Sequence, residues 1–183
     1  MSKNPVSKYY DLEEAKRLLS LVGDRISTAD WFDKNWQFSV HQFPPLPEPA
    51  DCATFQVFRT DWFNEDRQGI HFETFLGPKE WKKQVIPVMM HIFHCDVIPG
   101  TTIKRRAVAT PFVDEVFDTV SSWPGYSFRV GKYGSHPFTC AVKFEFDTIV
   151  DQLEIEFSKL GSELGPVMEQ TLQSVLNQNR IRV

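Results

Sequence analysis

The first pattern along the chain is a helical one. Apolar residues recur at spacings of three and four from Leu12 to Ile26, which is the period of an amphipathic helix. Asp11 and Glu14 stand in the N-cap and N3 positions of a capping box, with Asp in place of the usual Ser or Thr. We therefore predict a helix here, within a helical N-terminal segment of residues 1–35.

Segments rich in β-forming residues come next. We predict strands over 37–43, 54–60 and 69–76, joined by polar connections. The first of them ends just before residues 44–49, and four of these six residues are proline. Such a run fits neither a helix nor a central strand. We interpret it as a stiff, extended connector, and the alternative is a proline-rich ligand for a partner domain.

The middle of the chain predicts two helices. The first is predicted over 78–92, with Pro78 in its first turn and, at Pro87, either a kink or a division into two helices. Its apolar stripe consists of Trp81, Val85, Met89 and Ile92. Residues 96–109 show no clear period. A second helix is expected to begin at Thr110-Pro111, an N-cap residue followed by proline at the first helical position.

The clearest strand pair follows, before a helical end. Segments 126–133 and 137–146 flank Gly134-Ser135-His136, which predicts a hairpin. In the second segment apolar and more polar residues alternate, as in a strand with one face in the core. Residues 147–183 carry apolar stripes at helical spacing, interrupted at Gly161 and at Gly165-Pro166, and are predicted to form a C-terminal helical segment.

This order of elements predicts an α+β fold. Strands joined by short loops, rather than by helical crossovers, favour a mainly antiparallel sheet. We expect about five strands, with helices packed on one face and helices at both ends of the chain. A chain of 183 residues suits a single globular domain over residues 1–183.

Composition and charge narrow the functional classes. Sixteen Phe, five Trp and four Tyr make up 14% of the chain, which predicts an aromatic-rich core because each buried ring removes a large area from water. A net charge of −4 and a pI near 5.7 argue against a dedicated nucleic-acid-binding protein, since such proteins neutralise phosphates with Lys and Arg.

Cysteine usage and hydropathy point to a cellular compartment. The three cysteines are widely separated and form no CxxC pair, so neither a disulfide framework nor a zinc knuckle is indicated. Reduced thiols are typical of the cytosol. The polar N-terminus lacks a signal peptide's apolar run, and no apolar stretch reaches membrane-spanning length. We predict a soluble, cytoplasmic protein that does not enter membranes.

His71 and Glu73 are the first candidate site residues. On a strand they project from the same face, where a carboxylate can orient an imidazole for work as a general base or metal ligand. If the hairpin lies beside this strand, four further side chains share that face and could bind a ligand. These are Arg129, Tyr133, Lys143 and Glu145. The alternative is the solvent-facing side of a half-buried sheet.

His91 and His94 form a weaker candidate. At a spacing of three on the predicted helix they can share a face and bind a metal if a third ligand arrives from elsewhere. The zinc-protease pattern needs a glutamate after the first histidine, and Ile92 stands there. We therefore predict no metal and no cofactor, with this pair as the alternative metal site.

Two functional hypotheses follow from these residues. The first is a non-enzymatic domain that binds a small molecule or a protein partner, because the chemical motifs are weak and the aromatic content is high. The alternative is a small hydrolase or nuclease-like enzyme that uses the polar sheet face around His71 and Glu73. A further hypothesis is a homodimer formed through an exposed aromatic patch that includes Trp31 and Trp62.

Overall fold

The computed structural model describes residues 9–42, 51–65, 67, 69–92, 96–128 and 138–180. In chain order the helices and strands are α1 (Leu12–Ile26), β1 (Trp36–Gln42), β2 (Ala53–Arg59), β3 (His71–Leu76), α2 (Pro78–Lys83), β4 (Val85–His91), α3 (Arg105–Val120), β5 (Tyr126–Phe128), β6 (Phe138–Lys143), α4 (Ile149–Lys159), a π-helical segment π1 (Leu160–Leu164) and α5 (Gly165–Arg180).

The six strands form one sheet in the order β1-β2-β3-β4-β6-β5, and every neighbouring pair is antiparallel. Helix α1 packs on β1 and β2, and α4 packs on α1 and β6. The predicted α+β class is therefore confirmed, with one strand more than expected. Among the described helices, none is long and apolar enough to cross a membrane.

The additional strand is β4, and the helix predicted over 78–92 is wrong beyond Lys83. Gln84 adopts a left-handed conformation with φ of 50°, which ends α2. The β-branched residues that follow suit a strand that pairs with β3 on one side and β6 on the other. Pro87 lies one residue beyond the last pair of the β3–β4 ladder, where its missing N–H interrupts none of those pairs.

Helix α3 begins earlier than its predicted cap. It starts at Arg105, so that Pro111 lies inside the helix and the prediction of a start at Thr110 is wrong. The hydroxyl of Thr110 donates to the carbonyl oxygen of Arg106, one turn back, at 3.3 Å. Local cap and proline signals are weaker than the packing of α3 against α5.

The core between the sheet and the helices is rich in aromatic rings, as predicted. Phe55 of β2 meets Phe157 of α4 edge to face, with ring centroids 4.9 Å apart. Trp62 is fully buried and packs on Trp36 at 5.2 Å. Trp31 also packs on Trp36, with ring centroids 5.1 Å apart. The expectation of an exposed aromatic patch that includes Trp62 is therefore wrong. Trp62 is not available as an interface residue of a homodimer.

Two glycines let the tryptophans reach the C-terminal helices. Helix α4, π1 and α5 follow one another without a break from Ile149 to Arg180. A Cβ at Gly161 would lie 2.2 Å from a ring carbon of Trp31, and one at Gly165 would lie 2.7 Å from Trp36. These glycines therefore mark close helix–ring contacts, not the helix break that the sequence predicts.

Candidate functional site

The side of the sheet that faces away from the helices is polar at its centre. Directly opposed residues of antiparallel strands project from the same face. The register therefore aligns Ser39, Gln56 and Glu73 in one row across β1, β2 and β3. The polar face, as we use the term, consists of Ser39, His41, Thr54, Gln56, His71, Glu73 and His91.

The centre of the polar face is buried. His71 and Thr54 are 0% exposed, His91 is 1% exposed and Glu73 is 7% exposed. The interpretation of His71 and Glu73 as side chains of a solvent-facing sheet is therefore wrong. Because buried polar groups cost free energy unless they are hydrogen-bonded, the partners of these side chains define the site.

A hydrogen-bonded network joins four of the buried polar side chains. The amide nitrogen of Gln56 donates to Oε2 of Glu73 at 2.9 Å and lies 3.0 Å from Nε2 of His71. On the other side of the ring, Nδ1 of His71 lies 2.8 Å from Oδ1 of Asn64. The amide nitrogen of Asn64 in turn donates to Oε1 of Gln56 at 3.3 Å.

Asn64 determines which nitrogen of His71 carries the proton. The backbone N–H of Gly69 donates to Oδ1 of Asn64 at 3.0 Å, which identifies that atom as the amide oxygen. An amide oxygen only accepts, so Nδ1 of His71 must be the donor. In the neutral ring Nε2 then accepts the hydrogen bond from Gln56 and lies 3.3 Å from Oε2 of Glu73.

The loop that carries Asn64 is tightly constrained. Phe63 and Arg67 have positive φ angles of 56° and 65°, and residues other than glycine rarely adopt this backbone conformation. Gly69 has no space for a Cβ, which would lie 2.1 Å from the carbonyl oxygen of Phe63. Such conformations persist where surrounding contacts hold them, and here the contacts place Asn64 against His71.

Oγ of Ser39, Nδ1 of His41 and Oγ1 of Thr54 are atoms of the polar face that have no hydrogen-bond partner among the described residues. Leaving such a group buried and unsatisfied costs about 1–3 kcal/mol. His41 and Thr54 are directly opposed, and Ser39 is opposed to Gln56. The unsatisfied atoms therefore adjoin one another at one side of the network, where a polar molecule would satisfy them.

His41 is held in its neutral form. Burial lowers the pKa of its ring from 6.5 to about 4, and the positive charge of Arg67 acts in the same direction. The negative charge of Glu73 opposes this shift without cancelling it. At neutral pH the side chain therefore offers one donor and one acceptor to a ligand and no formal charge.

A cavity of about 290 Å³ adjoins the polar face. Its walls include Gln37 and Ser39 of β1, Phe58 of β2, and Asn64 and Arg67 of the loop. Ser39 of the polar face and Asn64 of the hydrogen-bonded network both line this cavity. The volume is close to the lower end of the range typical of small-molecule sites, about 300–1,000 Å³.

Two of the other predicted ligand-binding residues, Lys143 and Glu145, do not join this site. Lys143 is opposed to Val85, six residues along β4 from His91, which corresponds to about 20 Å. Lys143 and Glu145 line a separate, open hollow of about 640 Å³ with Lys83 and Thr148. Arg129 and Tyr133 lie outside the described residues.

The helical spacing on which the alternative metal site at His91 and His94 was based does not apply. His91 lies on β4, not on a helix, so the helical spacing that would pair it with His94 is wrong. His94 lies outside the described residues. The ring of His91 instead stacks on that of His71, with centroids 4.5 Å apart and planes 23° from parallel. The part of the chain that the structure describes contains no cluster of three or more residues able to hold a metal.

The sequence predicts the common face of His71 and Glu73 but does not identify the polar residues that surround them. Gln56, Thr54, Ser39 and His41 each alternate with an apolar residue along β1 or β2, which is the one signal that could have identified their common face. Comparisons with protein-family models, with curated proteins and with solved structures found no match. The chemistry of these residues is therefore the basis for assigning a function.

Proposed function

We propose that the protein is a non-enzymatic small-molecule-binding domain whose ligand lies against the polar face. The observation that carries this proposal is the group of three unsatisfied atoms on Ser39, His41 and Thr54. Each costs free energy while it lacks a partner. A bound molecule that hydrogen-bonds to all three recovers that free energy, and the recovery contributes to affinity.

The neighbouring network supports the proposal because it is already organised. Asn64, Gln56, His71 and Glu73 are linked by hydrogen bonds, so their side chains have little freedom left to lose when a ligand binds. Binding to a preorganised site costs less conformational entropy. The adjoining 290 Å³ cavity provides space for a ligand beside Ser39.

A small hydrolase is the second candidate function. It is favoured by the contact between Asn64 and Nδ1 of His71, because a general base requires an oriented ring with a lone pair on the opposite nitrogen. However, Nε2 of His71 already accepts from the Gln56 amide. Catalysis would require Gln56 to move, so we favour binding.

Native mass spectrometry of the purified protein, compared with the denatured sample, tests the proposal. We expect additional mass that disappears on denaturation in the wild type and is reduced in Thr54→Val, which removes the buried hydroxyl and keeps the side-chain shape. Thr74→Val is the matched control, because Thr74 projects from the opposite face of the sheet. A bare polypeptide mass, together with no thermal stabilisation by any member of a metabolite library, would contradict the proposal.

Incubation with the same metabolite library distinguishes the binding function from the hydrolase function. A binding protein returns its ligand unchanged, whereas a hydrolase releases products whose formation stops in His71→Gln. Turnover in the wild type that this substitution abolishes would replace the binding proposal with the enzymatic one.

A further inference from the structure

The two edges of the sheet differ in length. In the sheet that the described residues form, β1 and β5 are the edge strands. β5 has three residues, whereas β1 has seven. Proteins protect sheet edges with short strands, charged residues, proline or bulges, because an unpaired edge can pair with another chain. β5 is protected by its shortness, and β1 is not.

β1 also lacks the other protective features. Its sequence, WQFSVHQ, contains no Lys, Arg, Asp, Glu or proline. Its register with β2 continues without a bulge from Trp36 to Gln42. Among the described residues, β2 is the one strand that pairs with it. β1 is therefore a regular, uncharged edge of the kind that accepts a further strand.

The ladder between β1 and β2 shows which backbone groups point to the open edge. The N–H of Thr60 donates to the carbonyl oxygen of Asn35 at 2.9 Å, and this pair continues the β1–β2 register. In an antiparallel ladder, hydrogen-bonded pairs alternate with pairs that are not hydrogen-bonded. The N–H and C=O groups of Phe38 and Val40 therefore point away from β2.

The side chains of β1 are self-complementary about Ser39. Two antiparallel copies of β1, related by a two-fold axis at Ser39, oppose Phe38 to Val40 and Gln37 to His41. Directly opposed residues project from the same face. The half-buried Phe38 and Val40 then meet on the core side of the sheet, where Phe38 already packs on Phe55, and the polar residues meet on the polar face.

The same register suits the backbone. Phe38 and Val40 of opposite copies become hydrogen-bonded pairs, which use the N–H and C=O groups that point away from β2. Ser39 and its symmetry mate form the pair between them that is not hydrogen-bonded. Side chains and backbone therefore agree on one register.

We propose that the open edge of β1 binds β1 of a second copy of this chain, which gives a two-fold symmetric homodimer with one continuous sheet. A two-fold interface uses the same surface on both copies, and the register about Ser39 meets that condition. No like charges oppose one another within β1. This interface differs from the aromatic patch predicted from the sequence, and it does not depend on the proposed ligand.

Disulfide crosslinking tests the register. In a pair that is not hydrogen-bonded, the Cα atoms are about 4.5 Å apart, within the range of about 4.4–6.8 Å that a disulfide spans. Ser39→Cys should therefore give a covalent dimer on mild oxidation, with the linked peptides identified by mass spectrometry. Gln37→Cys is the matched control on the same face. Its symmetry mate lies four residues along the opposing strand, about 13 Å away, so it should not crosslink to itself.

Sedimentation equilibrium of the full chain measures the assembly. We expect a monomer–dimer equilibrium at micromolar concentration. Val40→Pro removes an N–H that points to the second copy but none that points to β2, and edge strands tolerate proline. It should raise the dissociation constant at least about tenfold, because two symmetry-related hydrogen bonds are lost. Val40→Ile keeps the N–H and should leave the dissociation constant nearly unchanged.

Three results would overturn the proposal. The first is a monomeric mass up to high micromolar concentration. The second is a dimer that Ser39→Cys does not crosslink or that a folded Val40→Pro leaves intact, because another surface would then form it. The third is slow hydrogen exchange of the Phe38 and Val40 amides in a monomer, which would show that another segment covers the edge. If Val40→Pro does not fold, the crosslinking of Ser39→Cys decides.

Discussion

Thr54 and Thr74 are both completely buried on neighbouring strands, and their side chains project from opposite faces of the sheet. The hydroxyl of Thr74 donates to the carbonyl oxygen of Pro87 at 2.6 Å, whereas Oγ1 of Thr54 has no hydrogen-bond partner among the described residues. The same side chain therefore occupies a satisfied and an unsatisfied environment within one sheet, which permits a direct comparison.

We expect Thr54→Val and Thr74→Val to change stability in different directions. In the ligand-free protein, Thr54→Val should leave the free energy of unfolding unchanged or raise it by up to about 1 kcal/mol, because it removes an unsatisfied group. Thr74→Val should lower it by about 1–2 kcal/mol. Urea unfolding measures both. Equal destabilisation by the two variants would show that a buried water satisfies Thr54.

Asn64→Ala should destabilise the protein by about 1–3 kcal/mol, because it leaves Nδ1–H of His71 and the N–H of Gly69 without their acceptor. Asn177→Ala, on the exposed surface of α5, is the control and should stay within about 0.5 kcal/mol. Nitrogen NMR of the ring provides a second measurement. A wild-type His71 that is protonated at Nε2 and not at Nδ1 would contradict the network.

His71→Ala tests the burial of the polar face. An exposed histidine would tolerate the change within about 0.5 kcal/mol. A fully buried ring in contact with Asn64, Gln56 and His91 should lose about 2–4 kcal/mol. Denaturant unfolding at neutral pH distinguishes the two outcomes.

Stability should fall as the pH drops from about 6.5 to about 4 because of His41. Its pKa is lowered from 6.5 to about 4 in the folded protein, so the unfolded chain binds the proton first in this window. The contribution to stability is complete above pH 6.5 and is lost towards pH 4. In His41→Gln the dependence of the urea midpoint on pH should be flatter over this window. An NMR titration of the His41 ring with a midpoint near 6.5 would overturn the prediction.

Gly161→Ala should destabilise the protein by about 1–3 kcal/mol, because the added methyl group overlaps the ring of Trp31. Helix propensity alone predicts the opposite, since alanine is favoured over glycine by about 1 kcal/mol in a helix. Ser162→Ala, exposed in the same π-helical segment, should change stability by less than about 0.5 kcal/mol. Thermal unfolding provides the measurement, and a stabilised Gly161→Ala would exclude the close ring contact.

The β4 segment shows where sequence patterns mislead. Trp81, Val85 and Met89 recur at helical spacing, yet Gln84 ends the helix and Val85 begins a strand. The strand gains hydrogen-bonded neighbours on both sides, β3 and β6. These bonds join segments far apart in the chain, so no local window contains them.

The α+β class, most of the strands and the common face of His71 and Glu73 can be predicted from the sequence, because each follows from a local period of apolar and polar residues. The burial of this face and the orientation of His71 by Asn64 depend on tertiary contacts. The same is true of the polar atoms of Ser39, His41 and Thr54 that meet there without hydrogen-bond partners among the described residues. The physical reason is that a period of two reports which side chains share a face, whereas burial and hydrogen bonding depend on strand order, register and the path of the connecting loops.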